Sequence, residues 1–189
     1  MFNRKEAQVS AVRIATEADA RALAAIYEPY VHETAISFEE VPPTPSEMAC
    51  RLTSTLESYP YLVFDDGASV LGYAFGSSHR AKPAYRWSVE TTVYVARNAH
   101  RRGIGRALYA DLLRLLTRQG FHVAFAGIVP PNEESVGLHE SLGFVYLGTF
   151  VEIGFKHGQF HDLGWWRRTL AEGKPRHDPL PFKSLASSL

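Results

Sequence analysis

The chain has 189 residues, of which 46% are hydrophobic and 12% aromatic, and its 20 basic and 20 acidic side chains leave no net charge. This composition predicts a folded domain and argues against disorder. The balanced charge gives no overall attraction for nucleic acid or an anionic membrane. No apolar run approaches about 18 residues, so the sequence predicts no membrane span. The only cysteine, Cys50, excludes an internal disulfide, which fits a cytoplasmic protein, and we expect its side chain to be buried or half-buried.

The first third of the chain predicts a strand and two capped helices. The strand covers residues 12–14, and Thr16 is a predicted helix N-cap because Asp19 follows three residues later. The helix after it has apolar and aromatic side chains at helical spacing, namely Ala22, Leu23, Ile26, Tyr27 and Tyr30. A loop from His32 to Pro43 precedes Thr44-Pro45-Ser46-Glu47, a capping box that predicts a helix from Pro45 to Glu57.

The middle of the chain predicts strands. Residues 61–64 and 70–75 form a hairpin around a turn at 65–67, and a basic loop from Ser78 to Arg86 leads to a long central strand from Trp87 to Val95. A helix follows the glycine turn at 103–105. It has one apolar side chain at every fourth position, namely Ile104, Leu108, Leu112 and Leu116.

The last third predicts a buried strand, a helix and a hairpin. The strand covers 123–129, the helix runs from Glu133 to Leu142, and two strands flank the turn at 156–158. Residues from about Ala171 have prolines and charges without periodicity, which indicates a loose tail. We therefore expect one domain over 1–170 and a tail over 171–189.

The segment from Val93 to Tyr109 predicts an anion site. It reads as a strand, the basic loop His100-Arg101-Arg102, the turn Gly103-Ile104-Gly105, and a helix. The free N–H groups at a helix start and the helix dipole favour phosphate, and Arg101, Arg102 and Arg106 add positive charge. A P-loop is excluded because no Gly-Lys-Ser/Thr follows, and a dinucleotide fingerprint lacks its third glycine. A tight turn without a ligand is the alternative.

Two motifs resemble those of the GNAT family of N-acetyltransferases. The segment 100–105 is similar to the family's Gln/Arg-x-x-Gly-x-Gly/Ala pyrophosphate loop, with histidine at the first position, and 132–144 is similar to its Asn-x-x-Ser…Gly-Phe segment. Segments 89–95, 138–144 and 156–162 resemble the phosphinothricin and methionine sulfoximine N-acetyltransferases, over residues 12 to 170. The resemblance implies an α/β (α+β) GNAT fold with a mixed, mainly antiparallel sheet that opens where acetyl-CoA binds.

Glu90 is the candidate general base. The period of two along the central strand places Glu90 on one face with Thr92 and Tyr94, provided that no β-bulge intervenes. A carboxylate in such a strand faces a wet cleft or has an ion-pair partner, for which Arg80, Lys82 and Arg86 are the candidates. In the resembling enzymes the matching glutamate takes the proton of the amine, directly or through water.

The resemblance also implies roles around the cofactor. His139 occupies the position at which many relatives have a tyrosine that protonates the leaving thiolate, and Tyr94 is the alternative donor. The resemblance further predicts that the backbone of Val93 to Val95 pairs with pantetheine, and that the loop Arg101, Arg102, Gly103, Ile104, Gly105 and Arg106 binds pyrophosphate. Asn132 and Ser135 line the other side of the cofactor, although Asn132 is also a candidate N-cap.

Fewer residues are candidates for binding the acceptor of the acetyl group. Arg80 and Arg86 are candidates to bind an anionic amino-acid analogue, with solvated surface charges as the alternative, and Phe38 is a candidate wall of the pocket. The predicted activity is direct acetyl transfer from acetyl-CoA to the α-amine of a small molecule such as phosphinothricin or methionine sulfoximine, without a metal. Alternatives are another amine (an amino acid, a polyamine or a protein N-terminus) and a non-catalytic acetyl-CoA-binding module. The resemblance implies a homodimer.

Overall fold

A seven-stranded sheet in the order β1-β2-β3-β4-β5-β7-β6 organises the protein. The computed structural model describes residues 11–175 and 177–186, so the part of the expected domain before Ala11 lies outside the described residues. The strands are β1 (Ala11–Ile14), β2 (Tyr61–Asp65), β3 (Val70–Ser78), β4 (Ser88–Val95), β5 (Val123–Ile128), β6 (Val145–Lys156) and β7 (Gln159–Thr169). Only β4 and β5 pair in parallel, which confirms the mixed, mainly antiparallel sheet.

Helices cover both faces of the sheet. They are α1 (Ala20–Glu33), α2 (Pro45–Ser58), α3 (Ile104–Gln119), α4 (Glu133–Ser141) and the short α5 (Phe182–Ala186). The buried side chains of α3 belong to one core with those of β5, whereas α1 and α2 enclose a second, tyrosine-rich core. The predicted stripe on α3 is confirmed, since all four of its side chains are buried.

The helix boundaries follow from their caps. Thr16 and Asp19 form the predicted capping box, but one turn of 3-10 helix precedes α1. The helix α1 continues to Glu33, although the sequence predicted that a loop begins at His32. The capping box of Thr44 and Glu47 starts α2 as predicted. Cys50 lies in this helix with an exposed side chain, so the expectation that it is buried or half-buried is wrong.

The sheet opens in its middle, between β4 and β5. These strands pair only over Ser88–Glu90 and Val123–Phe125, and β5 then continues beside β7 as far as Ile128. Beyond Glu90, none of the described strands therefore pairs with the edge of β4 on its β5 side. The pairing of β4 with β3 is in continuous register from Val89 to Val95, so no bulge interrupts the predicted alternation of faces.

The C-terminal segment does not fit the expectation of a loose tail. Phe182 is buried in the core with α3, and the amide of the buried Gln119 donates to the Leu180 carbonyl at 2.7 Å. The Trp87 indole donates to the His177 carbonyl at 3.1 Å. The described part of this proline-containing segment, which was predicted to be a loose tail, therefore packs along α3 and the start of β4.

Candidate active site

The glycine turn lies at the open end of β4, as the sequence predicts. Gly103 has a left-handed backbone with φ of 79°, which favours glycine, and α3 begins at the next residue. Because Ala107 is the first residue of α3 whose N–H bonds back to Gly103, the N–H groups of the first turn are available to a ligand. A cavity of about 510 Å³ lies against this turn. Its lining includes Val93, Val95, Gly103, Gly105, Asn132 and Ser135.

The charges around the turn are partly paired. Arg101 donates to Glu134 at 3.1 Å, Arg106 donates to the Ser141 hydroxyl at 3.1 Å, and both arginines line the cavity. Arg102 is exposed and does not line it. The cavity therefore contains an acidic group, Glu134, beside the cation that the sequence assigns to phosphate.

His100 holds the turn against β4, at the position where the resembling pyrophosphate loop has glutamine or arginine. Its Nε2 lies 2.9 Å from the Tyr30 hydroxyl and 3.1 Å from the Val95 carbonyl oxygen, to which Tyr30 also donates at 2.6 Å. The Val95 carbonyl is therefore already bonded. On the open edge of β4, the backbone of Val93 and the N–H of Val95 remain candidates for the pairing that the sequence predicts.

The residues present fit acetyl-CoA. The open edge of β4 suits an extended amide chain that pairs as a strand does, and the first turn of α3 suits pyrophosphate. Gly105 allows Leu138 of α4 to lie close to the turn, because a Cβ at this position would lie only 3.1 Å from a Leu138 methyl carbon. Asn132 accepts from the Ser135 N–H at 3.2 Å, so it caps α4 while it lines the same cavity.

A sealed hydrogen-bond network lies on the α3 side of β4. His139 is 3% exposed, its Nδ1 lies 2.7 Å from the Ser135 carbonyl oxygen, and its Nε2 lies 2.8 Å from the Tyr109 hydroxyl. Tyr109 also lies 3.2 Å from Thr91 Oγ1, which donates to the Phe125 carbonyl at 3.1 Å across the opening. Thr91, Tyr109 and His139 line a small cavity of about 100 Å³ in the gap between β4 and β5.

Ser135 and burial together determine the protonation of His139. A carbonyl oxygen only accepts, so Nδ1 carries the hydrogen that bonds to Ser135. In the neutral ring Nε2 is an acceptor, and it shares the single hydrogen of the Tyr109 hydroxyl with Thr91 Oγ1. Burial lowers the pKa of His139, because the imidazolium would lose its hydration. The ring is therefore neutral near pH 7, with both nitrogens engaged.

Glu90 lies on the opposite face of β4 and has a partner that the sequence did not suggest. His79 Nδ1 lies 2.9 Å from Glu90 Oε1, whereas the sequence named Arg80, Lys82 and Arg86 as candidate partners. The carboxylate is 29% exposed, and its second oxygen has no hydrogen bond within residues 11–175 and 177–186. One oxygen of Glu90 is thus held by His79, and the other is available to a substrate or to water.

Tyr94 shares the face of Glu90 and lies at the junction of the cavities. It lines the large cavity and the small one, and also a further cavity of about 490 Å³ under α2. Its ring packs on Tyr27, Tyr30 and Tyr73. Burial raises the pKa of Tyr94, so the hydroxyl keeps its proton.

The cavity under α2 contains residues that the sequence analysis missed. Arg51 and Glu39 form a two-pronged ion pair at 2.6 and 3.0 Å, and Glu39 also accepts from Tyr27 at 3.1 Å. Thr92 lines the same cavity. Nothing in the local pattern around residue 51 distinguishes it from the other polar positions of an amphipathic helix.

The predicted acceptor residues are not brought together. Arg80 is exposed, and its guanidinium forms no ion pair within the described part of the chain. Arg86 donates to both carboxylate oxygens of Asp178 at 3.0 Å and stacks on Trp87, which directs it to the C-terminal segment. Phe38 packs against Gly154 of β6, so it joins the loop after α1 to the β6–β7 hairpin.

Lys156 of β6 also connects the β6–β7 hairpin to the loop after α1. It is 5% exposed, and its ammonium donates to the carbonyls of Val31 and Ser37 at 2.6 Å each. The Lys156 side chain thereby fixes the start of the loop that contains Phe38 and Glu39.

Within the described ranges, no cluster of three or more histidine, cysteine or acidic residues is suited to hold a metal, and no helix is long and apolar enough to cross a membrane.

Comparison with known proteins agrees with this geometry. Residues 12–165 match the Acetyltransferase (GNAT) domain family. The phosphinothricin N-acetyltransferase of Streptomyces coelicolor is 47% identical over 163 residues, which cover 84% of this chain and 95% of that protein. The L-methionine sulfoximine/L-methionine sulfone acetyltransferase of Salmonella typhimurium is 35% identical over 162 residues, which cover 85% and 95%. A crystal structure of a GNAT superfamily phosphinothricin acetyltransferase from Sinorhizobium meliloti in complex with AcCoA has a TM-score of 0.85 at 36% identity, and covers 92% of this chain and 96% of that chain.

Proposed function

Because this chain belongs to the GNAT family of acetyltransferases, we propose that it acetylates the α-amine of a small amino-acid analogue. The open edge of β4 binds acetyl-CoA, and the carboxylate of Glu90 removes the proton of the amine. The chain is an acetyl-CoA-dependent N-acetyltransferase. The observation that carries the residue assignment is the position of Glu90 at the last β4–β5 pair, where the strand edge becomes free. Phosphinothricin and methionine sulfoximine are the proposed acceptors, from the names of the relatives.

The cofactor side divides into two parts. The backbone of Val93 to Val95 pairs with the pantetheine arm, and the N–H groups of Gly103, Ile104 and Gly105 bind pyrophosphate. Arg101 and Arg106 supply the positive charge, and Arg102 adds to the field from the surface. Asn132 and Ser135 close the cavity from α4. Acetyl-CoA supplies the activated acetyl group as its thioester.

Glu90 acts as the general base. The acceptor arrives as an ammonium ion and has to lose a proton before its nitrogen attacks the thioester carbonyl. The free oxygen of Glu90 accepts that proton, directly or through one water. The new N–C bond forms as the C–S bond breaks, so the acetyl group passes directly to the amine and the enzyme forms no covalent bond to it.

The returning proton comes from Tyr94 rather than His139. Both were candidates, but His139 is neutral and both of its nitrogens are engaged by Ser135 and Tyr109, so it has no N–H for the thiolate. The Tyr94 hydroxyl keeps its proton until the thiolate leaves, and Tyr94 lines the cofactor cavity and the cavity under α2. The second proton of the attacking nitrogen, released once the N–C bond has formed, restores the Tyr94 hydroxyl. His139 then serves as a fixed wall of the small cavity.

The acceptor is held by the loop before β4. Arg80 is the proposed anion-binding residue, because its guanidinium is exposed and has no ion pair in the described residues. Arg86 joins it only if it leaves Asp178. A basic loop favours an acceptor with anionic oxygens over a polyamine. Phe38, which packs against Gly154 of β6, is the proposed wall of the acceptor pocket.

A thiol-release assay with acetyl-CoA tests this function. The acceptors are phosphinothricin, methionine sulfoximine, common amino acids, spermidine and a short peptide. We expect saturable release of CoA with the first two. Release only with another acceptor transfers the assignment to that amine, and acetyl-CoA binding without release for any acceptor contradicts a catalytic role under the assay conditions.

A homodimer is proposed from the β6–β7 hairpin. Large apolar side chains along it are exposed, namely Val145, Leu147, Phe150, Val151, Ile153, Phe155 and Phe160, and a strip of this kind is unusual on a monomer. Light scattering should give twice the monomer mass, and Val151→Glu should yield a monomer. Ala110→Glu, on the exposed side of α3, is the matched control. A wild-type monomer contradicts the dimer. The cytoplasmic location stays a prediction from the single cysteine.

A further inference from the structure

His79 lies in an aromatic enclosure beside Glu90. Its ring stacks on Phe125 of β5, with centroids 4.4 Å apart and planes 13° apart. The edges of Tyr85, in the loop before β4, and Trp165 of β7 complete the enclosure, each with its centroid 5.9 Å away. Three elements therefore fix this imidazole, and its side chain is 14% exposed.

The fixed ring directs Nδ1 at the carboxylate. Nδ1 lies 2.9 Å from Glu90 Oε1, whereas Nε2 has no hydrogen-bond partner in the described residues. A carboxylate oxygen only accepts, so Nδ1 carries the hydrogen whether the ring is neutral or protonated. The bond therefore does not depend on the protonation state of His79.

Few other charged groups face this pair. Among the described residues, β4 contributes no charged side chain besides Glu90, and the preceding loop contributes the neutral Tyr85 ring. From β7, the pairing register places Arg167 opposite Phe125 on the same face, where it donates to Thr169 at 2.7 Å. Arg80 follows His79 in the chain and is exposed. His79 is thus the direct hydrogen-bond donor to the carboxylate.

We propose that His79 is a positioning residue for acetyl transfer: its Nδ1–H holds Oε1 of Glu90, stabilises the ionised carboxylate, and leaves Oε2 free for the proton of the acceptor amine. The inference rests on the proposed role of Glu90 as base. His79 itself takes up no proton in the reaction. A residue that offers an N–H at the same place should therefore replace it, and a residue that offers only packing should not.

Two substitutions separate these contributions. His79→Phe keeps an aromatic ring for Phe125, Tyr85 and Trp165 but removes the N–H, whereas His79→Asn keeps a side-chain N–H and gives up the ring. A lost hydrogen bond to a charged group is worth about tenfold in an equilibrium. For His79→Phe we expect kcat/KM at pH 7 to fall about tenfold, because the carboxylate is no longer held in place. We also expect the acidic limb of the pH profile to move up, because the ionised carboxylate loses its donor.

His79→Asn should keep the acidic limb in its wild-type place. His32→Leu, at an exposed position of α1, is the matched control and should leave the profile unchanged. In the Glu90→Gln background, His79→Phe should cause no further loss of the residual rate. Circular dichroism and thermal melting check that each variant is folded.

The outcomes distinguish the inference from the proposed function. If Glu90→Gln keeps wild-type activity, the base assignment fails and this inference fails with it. If Glu90→Gln is impaired but His79→Phe keeps the wild-type profile, only the role of His79 is overturned. If His79→Asn is as impaired and as shifted as His79→Phe, the imidazole itself is required and the positioning role is wrong.

Discussion

At Glu90 and Thr91, the two faces of β4 differ in their exposure to solvent. On the α3 face, Thr91 is buried and belongs to the closed network of Tyr109 and His139. On the other face, Glu90 is 29% exposed and has one free oxygen. Adjacent residues of one strand therefore differ in whether solvent reaches their polar side-chain atoms. We infer that the sealed face fixes the shape of the thioester site, and that the open face performs the proton transfer.

The largest effect should come from the open face. Glu90→Gln removes the base but keeps the size of the side chain, so kcat/KM should fall by about 10²-fold or more, the usual contribution of a general base. Steady-state kinetics with methionine sulfoximine measures this. Glu28→Gln, an exposed position of α1, is the control. A loss of less than threefold would show that bulk solvent takes the proton unaided.

Tyr94→Phe should follow in size. The substitution keeps the ring that packs on Tyr27 and Tyr73 but removes the proton proposed for the thiolate, so kcat should fall by about 10- to 100-fold with little change in the KM for acetyl-CoA. Tyr61→Phe is the control, because among the described residues the Tyr61 hydroxyl has only the Met48 sulfur as a hydrogen-bond partner. Equal kcat values for the two variants would remove Tyr94 from the reaction.

A smaller effect is expected at the phosphate end. Glu134 pairs with Arg101 in the cavity that we propose for the cofactor, where it is expected to compete with phosphate for that cation. Glu134→Gln should therefore tighten acetyl-CoA binding about threefold, and Arg101→Ala should weaken it by a similar factor, as expected for exposed charges. Calorimetric titration at low and high salt measures both. Weaker binding in Glu134→Gln contradicts the competition.

The smallest effect concerns the sealed face and stability. Burial lowers the pKa of His139, so the unfolded chain binds a proton more readily than the folded one as the pH falls below about 6.5. This residue therefore contributes stability that is present above that pH and is lost as the pH falls through the lower, folded-state value. In His139→Gln, the melting temperature should vary less between pH 7 and pH 5 than in the wild type. If the melting temperatures of the two proteins vary equally with pH, a group other than His139 causes the pH dependence of stability.

The sequence predicted the parts of this site that depend on neighbouring residues. The glycine turn, the stripe on α3 and the alternation along β4 are local patterns, and the structure has all three. The partner of Glu90 was missed because His79 lies outside the central strand. Only the pairing of β3 with β4 brings the two side chains together.

The acceptor side shows the same limit. Arg86 has the expected charge and lies in the expected loop, but Asp178, from a segment interpreted as loose, binds it. The pair of Arg51 and Glu39 joins a helix to the preceding loop, a contact that helical periodicity does not encode. Long-range ion pairs decide which arginines are available, and single-sequence patterns do not specify them.

The most direct test of the division between the faces is the pH profile of kcat/KM for wild type, Glu90→Gln and Tyr109→Phe. If the open face transfers the proton, Glu90→Gln loses the acidic limb. Tyr109→Phe, which removes a buried hydroxyl from the sealed network, keeps that limb in place even if its stability falls. An acidic limb that persists in Glu90→Gln, or that disappears in Tyr109→Phe, would contradict the account.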